Sequence, residues 1–262
     1  MSEDAEGSPG SPPAVARHVE AYRPGRLVEV MRPVGARGVP VVLFWHGSGP
    51  DERDALVPLA SAVAAYGTVS FVPDWQSDDV AVGADELVAS IEFTLGAAVA
   101  LGGDPGRTVL AGWSLGASAA ADIALHPGLA GGWHPTGLVG LGGAYDRTPF
   151  GRRPARDPLA DVVISGAGRP ALLAHGTADT VVPLERSVVG TVALAEAGWR
   201  AVLRQVGTDH AGVIGTVYDR GLRRCVPSDA PERLAAMAAV AREVARVALG
   251  PGIPGGNPGE RV

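Results

Sequence analysis

The stretch Thr108–Leu125, TVLAGWSLGASAAADIAL, joins a short apolar run to a longer alanine-rich run through a turn of small residues. The apolar run is typical of a buried strand, and the alanine-rich run predicts a helix. Between them, Gly112 and Gly116 stand two residues either side of Ser114. A serine in a sharp strand-to-helix turn needs such small neighbours, and the turn exposes its hydroxyl at the sheet edge. Ser114 is therefore a candidate nucleophile, and the alternative is a simple helix N-cap.

Short β-branched runs alternate with longer amphipathic segments along most of the chain. The predicted strands are Leu27–Met31, Pro40–Trp45, Thr68–Val72, Thr108–Ala111, Leu138–Leu141, Pro170–Ala174 and Ala201–Val206. The predicted helices are Asp54–Ala65, Ala84–Leu101, Leu115–Leu125, Leu184–Ala197 and Pro231–Leu249. This alternation predicts the α/β class, with a mostly parallel central sheet and helices on both faces. In such sheets, functional residues gather at the carboxyl ends of the strands.

Composition limits the classes of partner. Hydrophobic residues make up 46% of the 262 residues, which is enough for a sizeable core, and the net charge is −6. Because the basic residues are scattered, nucleic acid and anionic membranes are not expected partners. The polar, acidic N-terminus and the single cysteine, Cys225, favour a cytoplasmic protein. We expect one domain over residues 16–250, with flexible Gly/Pro-rich tails at 1–15 and 251–262.

A serine nucleophile needs a general base and an acidic residue that orients the base, here in the chain order Ser, acid, His. Asp179 follows the predicted strand Pro170–Ala174 after a short polar loop, and it is the candidate acid. It could instead be a turn residue, and Asp157 and Asp161, which precede this strand, are weaker competitors. His210 follows the last predicted strand and is the candidate base.

The loop after the strand Pro40–Trp45 reads His46-Gly47-Ser48-Gly49. Acyl transfer places negative charge on a carbonyl oxygen, which needs preorganised N–H donors. Gly47 or Ser48 is the candidate donor from this loop, and Leu115, next to Ser114, is the second. The loop could also be an ordinary tight turn. His46 and His175 each precede a glycine at a strand end, which indicates structural roles. No His, Cys or Asp spacing resembles a metal site, so we predict no metal.

These motifs, spread over residues 41–210, resemble the α/β-hydrolase superfamily of serine hydrolases. The segment Gly103–Arg107, GDPGR, is similar to the turn before the nucleophile strand in the carboxylesterase and dienelactone-hydrolase branches. The loop HGSG departs from the HGGG of the hormone-sensitive-lipase branch. The resemblance implies Ser114, Asp179 and His210 as the triad, and no cofactor. Residues 142–169 are too few for a large cap domain.

The predicted activity is cleavage of a small or medium carboxylic ester, with the ester as a small-molecule partner. Alternatives are a thioesterase, an acyltransferase or a peptidase with the same triad, or a binding protein that has lost turnover. Trp45, Trp75 and Trp113 either line an apolar pocket or fill the core. The segment Gly212–Cys225 yields no structural prediction, and the sequence does not indicate an oligomeric state.

Overall fold

A computed structural model describes residues 13–49, 52–146, 149–150 and 166–250. Three sequence-based expectations concern residues outside these ranges. These are the tails at 1–12 and 251–262, the competing acids Asp157 and Asp161, and most of the segment 142–169 in which no large cap was expected.

The central feature of the described residues is a sheet of eight strands in the order β1-β2-β4-β3-β5-β6-β7-β8. The strands are β1 Val15–Arg23, β2 Arg26–Pro33, β3 Val39–Trp45, β4 Val69–Pro73, β5 Gly103–Trp113, β6 Gly137–Leu141, β7 Pro170–Gly176 and β8 Arg200–Val206. Pairs from β4 through β3 to β8 are all parallel, whereas β2 is antiparallel to both of its neighbours. The predicted mostly parallel α/β sheet is confirmed.

Five helices cover the two faces of this sheet within the described ranges. They are α1 Arg53–Ala64, α2 Val80–Ala97, α3 Leu115–Leu125, α4 Leu184–Glu196 and α5 Pro231–Leu249. Successive side chains of a strand point to opposite faces, and β3 shows this directly. Val41 and Leu43 pack in the cluster that holds α2, α3 and α4 residues, while Val42 and Phe44 pack with α1 and α5. Burial on both faces is why these strands are continuously apolar.

Three strands lack a counterpart among the predicted ones. Strand β1 begins at Val15, the last residue of the predicted tail, and alternates partly buried with exposed residues. It carries charges such as Arg17, which pairs with Glu29 of β2 at 2.9 Å, because it is an edge strand that faces solvent. The other two, β9 Thr216–Asp219 and β10 Arg224–Pro227, form an antiparallel hairpin within the segment that gave no prediction.

Candidate active site

Ser114 lies in a tight turn between β5 and α3. Its φ of +55° is a left-handed value that a residue with a side chain adopts only under constraint. A Cβ on Gly112 would lie 2.2 Å from the Gly116 carbonyl oxygen, and one on Gly116 would lie 2.2 Å from the Trp45 carbonyl oxygen. Both positions therefore require glycine. Ser114 stands at the N-cap position of α3, but its side chain makes no capping hydrogen bond.

Asp179 follows β7 and uses its two carboxylate oxygens differently. Oδ1 accepts the backbone N–H groups of Val181 and Val182, at 2.8 and 2.9 Å, so Asp179 also holds a turn. Oδ2 lies 2.7 Å from Nδ1 of His210. Burial raises the pKa of Asp179, but the hydrogen bonds from His210 and the two backbone groups outweigh it and hold the pKa below its usual value.

His210 follows β8 and is held on three sides. Because Asp179 is ionised, Nδ1 carries the proton and donates it, which leaves Nε2 as the acceptor nitrogen. The indole ring of Trp113 lies 5.2 Å from the His210 ring, centroid to centroid, and its N–H donates to the His210 carbonyl oxygen at 3.0 Å. The neighbouring Asp209 binds Arg233 of α5, with one hydrogen bond of 2.7 Å, and anchors the loop.

The loop after β3 packs directly against the serine turn. A Cβ on Gly47 would lie 3.0 Å from the Ser114 Cβ, so only glycine fits there without displacement. The buried ring of His46 donates from Nδ1 to the Gly47 carbonyl oxygen at 2.8 Å, and its Nε2 accepts the Trp75 backbone N–H at 3.2 Å. Within the described ranges, the backbone N–H groups of Ser48 and Leu115 donate to no protein acceptor.

Two cavities meet at Ser114. The larger cavity, about 720 Å³, is lined by Ser114 together with His210, Trp113 and residues of the β9–β10 hairpin. The smaller cavity, about 330 Å³, is lined by Ser114 together with Leu115 and Ser118, but not by His210. Ser48 lines both. The structure therefore brings together Ser114, His210 and Asp179, with Ser48 and Leu115 beside the serine.

Comparison with known proteins identifies the fold. No protein-family model and no curated sequence matches the chain. Among solved structures, esterase 2 of the planctomycete Thermogutta terrifontis with bound butyrate aligns with a TM-score of 0.68 at 20% identity, over 92% of this chain and 96% of that one. An esterase of Pyrobaculum calidifontis aligns with a TM-score of 0.67 at 18% identity, over 90% of this chain and 85% of that one.

The chain has the α/β-hydrolase fold. In this fold the carboxyl ends of the parallel strands face the site, and Ser114, Asp179 and His210 each follow one of them, β5, β7 and β8. No helix in the described part of the chain is long and apolar enough to cross a membrane. The same residues contain no cluster of three or more His, Cys, Asp or Glu that could hold a metal ion.

Two side chains of the candidate site have contacts that the sequence did not indicate. Trp113 supports His210, whereas Trp45 and Trp75 are wholly buried in the core. His175, also wholly buried, has Nε2 3.3 Å from Asp179 Oδ2 and 2.9 Å from the Val182 carbonyl oxygen. It is structural, as expected, but it also holds the turn of Asp179. In the sequence, only the four-residue spacing between His175 and Asp179 indicates that the two side chains could be close together.

Proposed function

We propose that this chain is a serine hydrolase that cleaves a small or medium carboxylic ester through an acyl-enzyme on Ser114. The observation that carries the proposal is the arrangement of Ser114 in its strained turn, sharing a cavity with His210, whose Nδ1 donates to Asp179 at 2.7 Å. A serine hydroxyl is a weak nucleophile at neutral pH, and this arrangement supplies the base that activates it.

The proposed reaction has two halves. In the first, Ser114 Oγ attacks the ester carbonyl while His210 Nε2 takes its proton, and the ionised Asp179 stabilises the imidazolium. Collapse of the tetrahedral intermediate breaks the C–O bond, and His210 returns the proton to the leaving alcohol. In the second, His210 deprotonates a water molecule that attacks the acyl-enzyme. The bond between the acyl carbon and Ser114 Oγ then breaks, Oγ takes back the proton from His210, and the carboxylic acid leaves. Neither half needs a cofactor or a metal.

The oxyanion donors in this proposal are the N–H groups of Ser48 and Leu115. The hydrogen bond from His46 turns the Gly47 carbonyl toward the buried His46 ring. Since C=O and N–H point in opposite directions across a trans peptide, the Ser48 N–H of the same peptide is directed away from His46. Ser48 also lines both cavities. This geometry favours Ser48 over Gly47 as the donor.

Replacing Ser48 by proline removes this donor and is expected to lower kcat for a short ester by about 10²- to 10³-fold. Ser48→Ala is the matched control, because it keeps the N–H and loses only the hydroxyl, and we expect a change within about threefold. Far-UV circular dichroism and thermal unfolding report whether the loop variant is folded. A folded Ser48→Pro enzyme with native kcat would instead favour Gly47.

In the proposed binding mode, the acyl group of the substrate occupies the smaller cavity. The leaving oxygen must lie beside His210, which protonates it, and His210 lines only the larger of the two cavities. The smaller cavity includes the ion pair of Asp146 and Arg186, 3.5 Å apart, which disfavours a long apolar chain. Structures of the Thermogutta esterase hold propionate or butyrate, which agrees with a short acyl group.

A substrate panel tests the proposed activity. We expect p-nitrophenyl acetate and butyrate to be hydrolysed with at least about tenfold higher kcat/KM than the decanoate, because only short acyl groups avoid the ion pair. S-butyryl-N-acetylcysteamine and butyryl p-nitroanilide test the thioesterase and peptidase alternatives, and an added alcohol acceptor tests acyl transfer. A faster thioester or amide would replace the ester proposal. Binding of the esters without turnover of any probe would favour a binding protein.

The proposal includes a cytoplasmic location, which rests on the lone cysteine.

A further inference from the structure

The β9–β10 hairpin forms one wall of the larger cavity. Its base is tied to the start of α1 by the ion pair of Arg224 with Asp54. Its turn, residues 220–223, is fixed at one end by Asp219, whose Oδ1 accepts the N–H groups of residues 221 and 222 at 2.7 and 2.9 Å. The hairpin therefore presents its turn to the cavity from an anchored base.

The turn carries two guanidinium groups that line this cavity, those of Arg220 and Arg223. Both side chains are exposed, and within the described ranges neither has an ion-pair partner. Arg223 has a φ of +55°, a conformation that is unfavourable for a residue with a side chain. Glycine would adopt this conformation without strain, but the residue at this position is an arginine.

Two acidic residues, Asp209 and Glu52, line the cavity. Asp209 is paired with Arg233, and Glu52 is buried, with 6% of its surface exposed. The remaining lining arginine, Arg224, is paired with Asp54. The two guanidinium groups of the hairpin turn therefore outnumber the one carboxylate, that of Glu52, that is left without an arginine partner among the described residues.

We propose that the alcohol portion of the substrate carries a carboxylate, and that Arg220 and Arg223 bind it. This proposal rests on the proposed esterase function, because the larger cavity is the alcohol side only if His210 protonates the leaving oxygen. An arginine fork binds a carboxylate through charge-assisted hydrogen bonds, which discriminates against a neutral group of the same shape. The hairpin is thus the element that selects the alcohol, while the smaller cavity selects the acyl group.

Three probes of similar size test this selection. They are 4-acetoxybenzoate, with the carboxylate on the alcohol side, its neutral counterpart 4-acetoxybenzamide, and p-nitrophenyl hydrogen succinate, with the carboxylate on the acyl side. The double variant Arg220→Gln/Arg223→Gln is expected to lose about tenfold in kcat/KM for 4-acetoxybenzoate, mainly through KM, and less than about twofold for the other two. Comparing each probe between enzymes cancels its intrinsic reactivity.

The control variant is Arg204→Gln/Arg242→Gln, which removes the same charge from two exposed arginines that do not line the larger cavity. We expect it to leave all three rates unchanged. In the wild-type enzyme, raising the salt from about 0.1 M to about 1 M should reduce the rate for 4-acetoxybenzoate relative to the amide, because the shorter Debye length screens the guanidinium groups. This measurement does not depend on the folding of a variant.

Equal losses for all three probes in the hairpin variant, or a salt-insensitive ratio in the wild type, would overturn the proposal. A loss confined to the succinate would place the anion on the acyl side and overturn it as well. Failure of the proposed function is distinguishable, because the neutral 4-acetoxybenzamide would then not be hydrolysed at all.

Discussion

Replacing Ser114 by alanine is expected to lower kcat for p-nitrophenyl butyrate by about 10⁶-fold, close to the loss known for a deleted serine nucleophile. The reason is that no acyl-enzyme can form, and only the oxyanion donors and substrate binding remain. A fluorophosphonate probe gives a second measurement. Intact-mass spectrometry should show one adduct on the wild-type chain and none on Ser114→Ala.

Ser118→Ala is the matched control for this experiment. Ser118 lies one turn along α3 and lines the same smaller cavity, but its Oγ is engaged in accepting the Tyr145 N–H at 2.9 Å. We expect Ser118→Ala to retain the probe adduct and to hydrolyse the ester within about tenfold of the wild-type rate, since a lost hydrogen bond perturbs packing but removes no reacting group. Labelling of Ser114→Ala would show that another side chain is the nucleophile.

The parallel core of the fold could be predicted because its strands and helices are specified by the hydrophobic pattern of residues that are close together in the sequence. The runs around Val41 and Leu110 are apolar at every position, since both faces of those strands are buried, and the helices between them show a clear helical pattern. Ser114 could be singled out for the same reason, because the strand, the two glycines and the helix are contiguous. Asp179 and His210 then followed from chain order and from their positions after strands.

The edge strand β1 and the β9–β10 hairpin could not be predicted from the same signals. Val19 of β1 and Tyr218 of β9 are exposed, so hydrophobic periodicity is weak in both segments. The hairpin is held instead by contacts distant in sequence, such as that of Arg224 with Asp54. The sequence alone therefore does not indicate the function that we propose for the hairpin turn.

The choice between Gly47 and Ser48 as oxyanion donor illustrates a further limit. It depends on the orientation of a single peptide plane, which is set by the His46 ring. That ring is in turn oriented by the backbone N–H of Trp75, about 30 residues away along the chain. Sequence spacing carries no information about such an orientation, whereas two hydrogen bonds decide it.

Asp179→Asn is expected to lower kcat by about 10⁴-fold with little change in KM. The three donors around this side chain require a carboxylate: His210 Nδ1 donates to Oδ2, and the N–H groups of Val181 and Val182 donate to Oδ1. His175 Nε2 also lies 3.3 Å from Oδ2, but its N–H donates to the Val182 carbonyl oxygen. An amide places an N–H₂ group against donors in either orientation.

The consequence for catalysis depends on which way the amide turns. With its N–H₂ toward His210, the ring must shift its proton from Nδ1 to Nε2, and that tautomer cannot accept the proton of Ser114. With its oxygen toward His210, the turn at Val181 and Val182 loses two hydrogen bonds, which costs about 1–3 kcal/mol of the free energy of unfolding for each unsatisfied donor. Steady-state kinetics and urea unfolding of the same variant separate the two outcomes.

The pH dependence of the free energy of unfolding gives a separate test of the Asp179 carboxylate. Because the pKa of Asp179 is held below its usual value, the carboxylate contributes stability that is present above the unfolded pKa of about 3.9 and lost as the pH falls through the lower folded value. The free energy of unfolding of Asp179→Asn should therefore fall less steeply in acid than that of the wild type.

Asp209→Asn is the matched control, since Asp209 is also a carboxylate beside His210 with a lowered pKa, but its partner is Arg233 and not the imidazole. Asp209→Asn should show a similarly reduced acid dependence of stability while kcat stays within about tenfold, because the His210 tautomer is unchanged. A near-native kcat in Asp179→Asn without loss of stability would assign the acid to another carboxylate, and Asp157 and Asp161 would then be the variants to make.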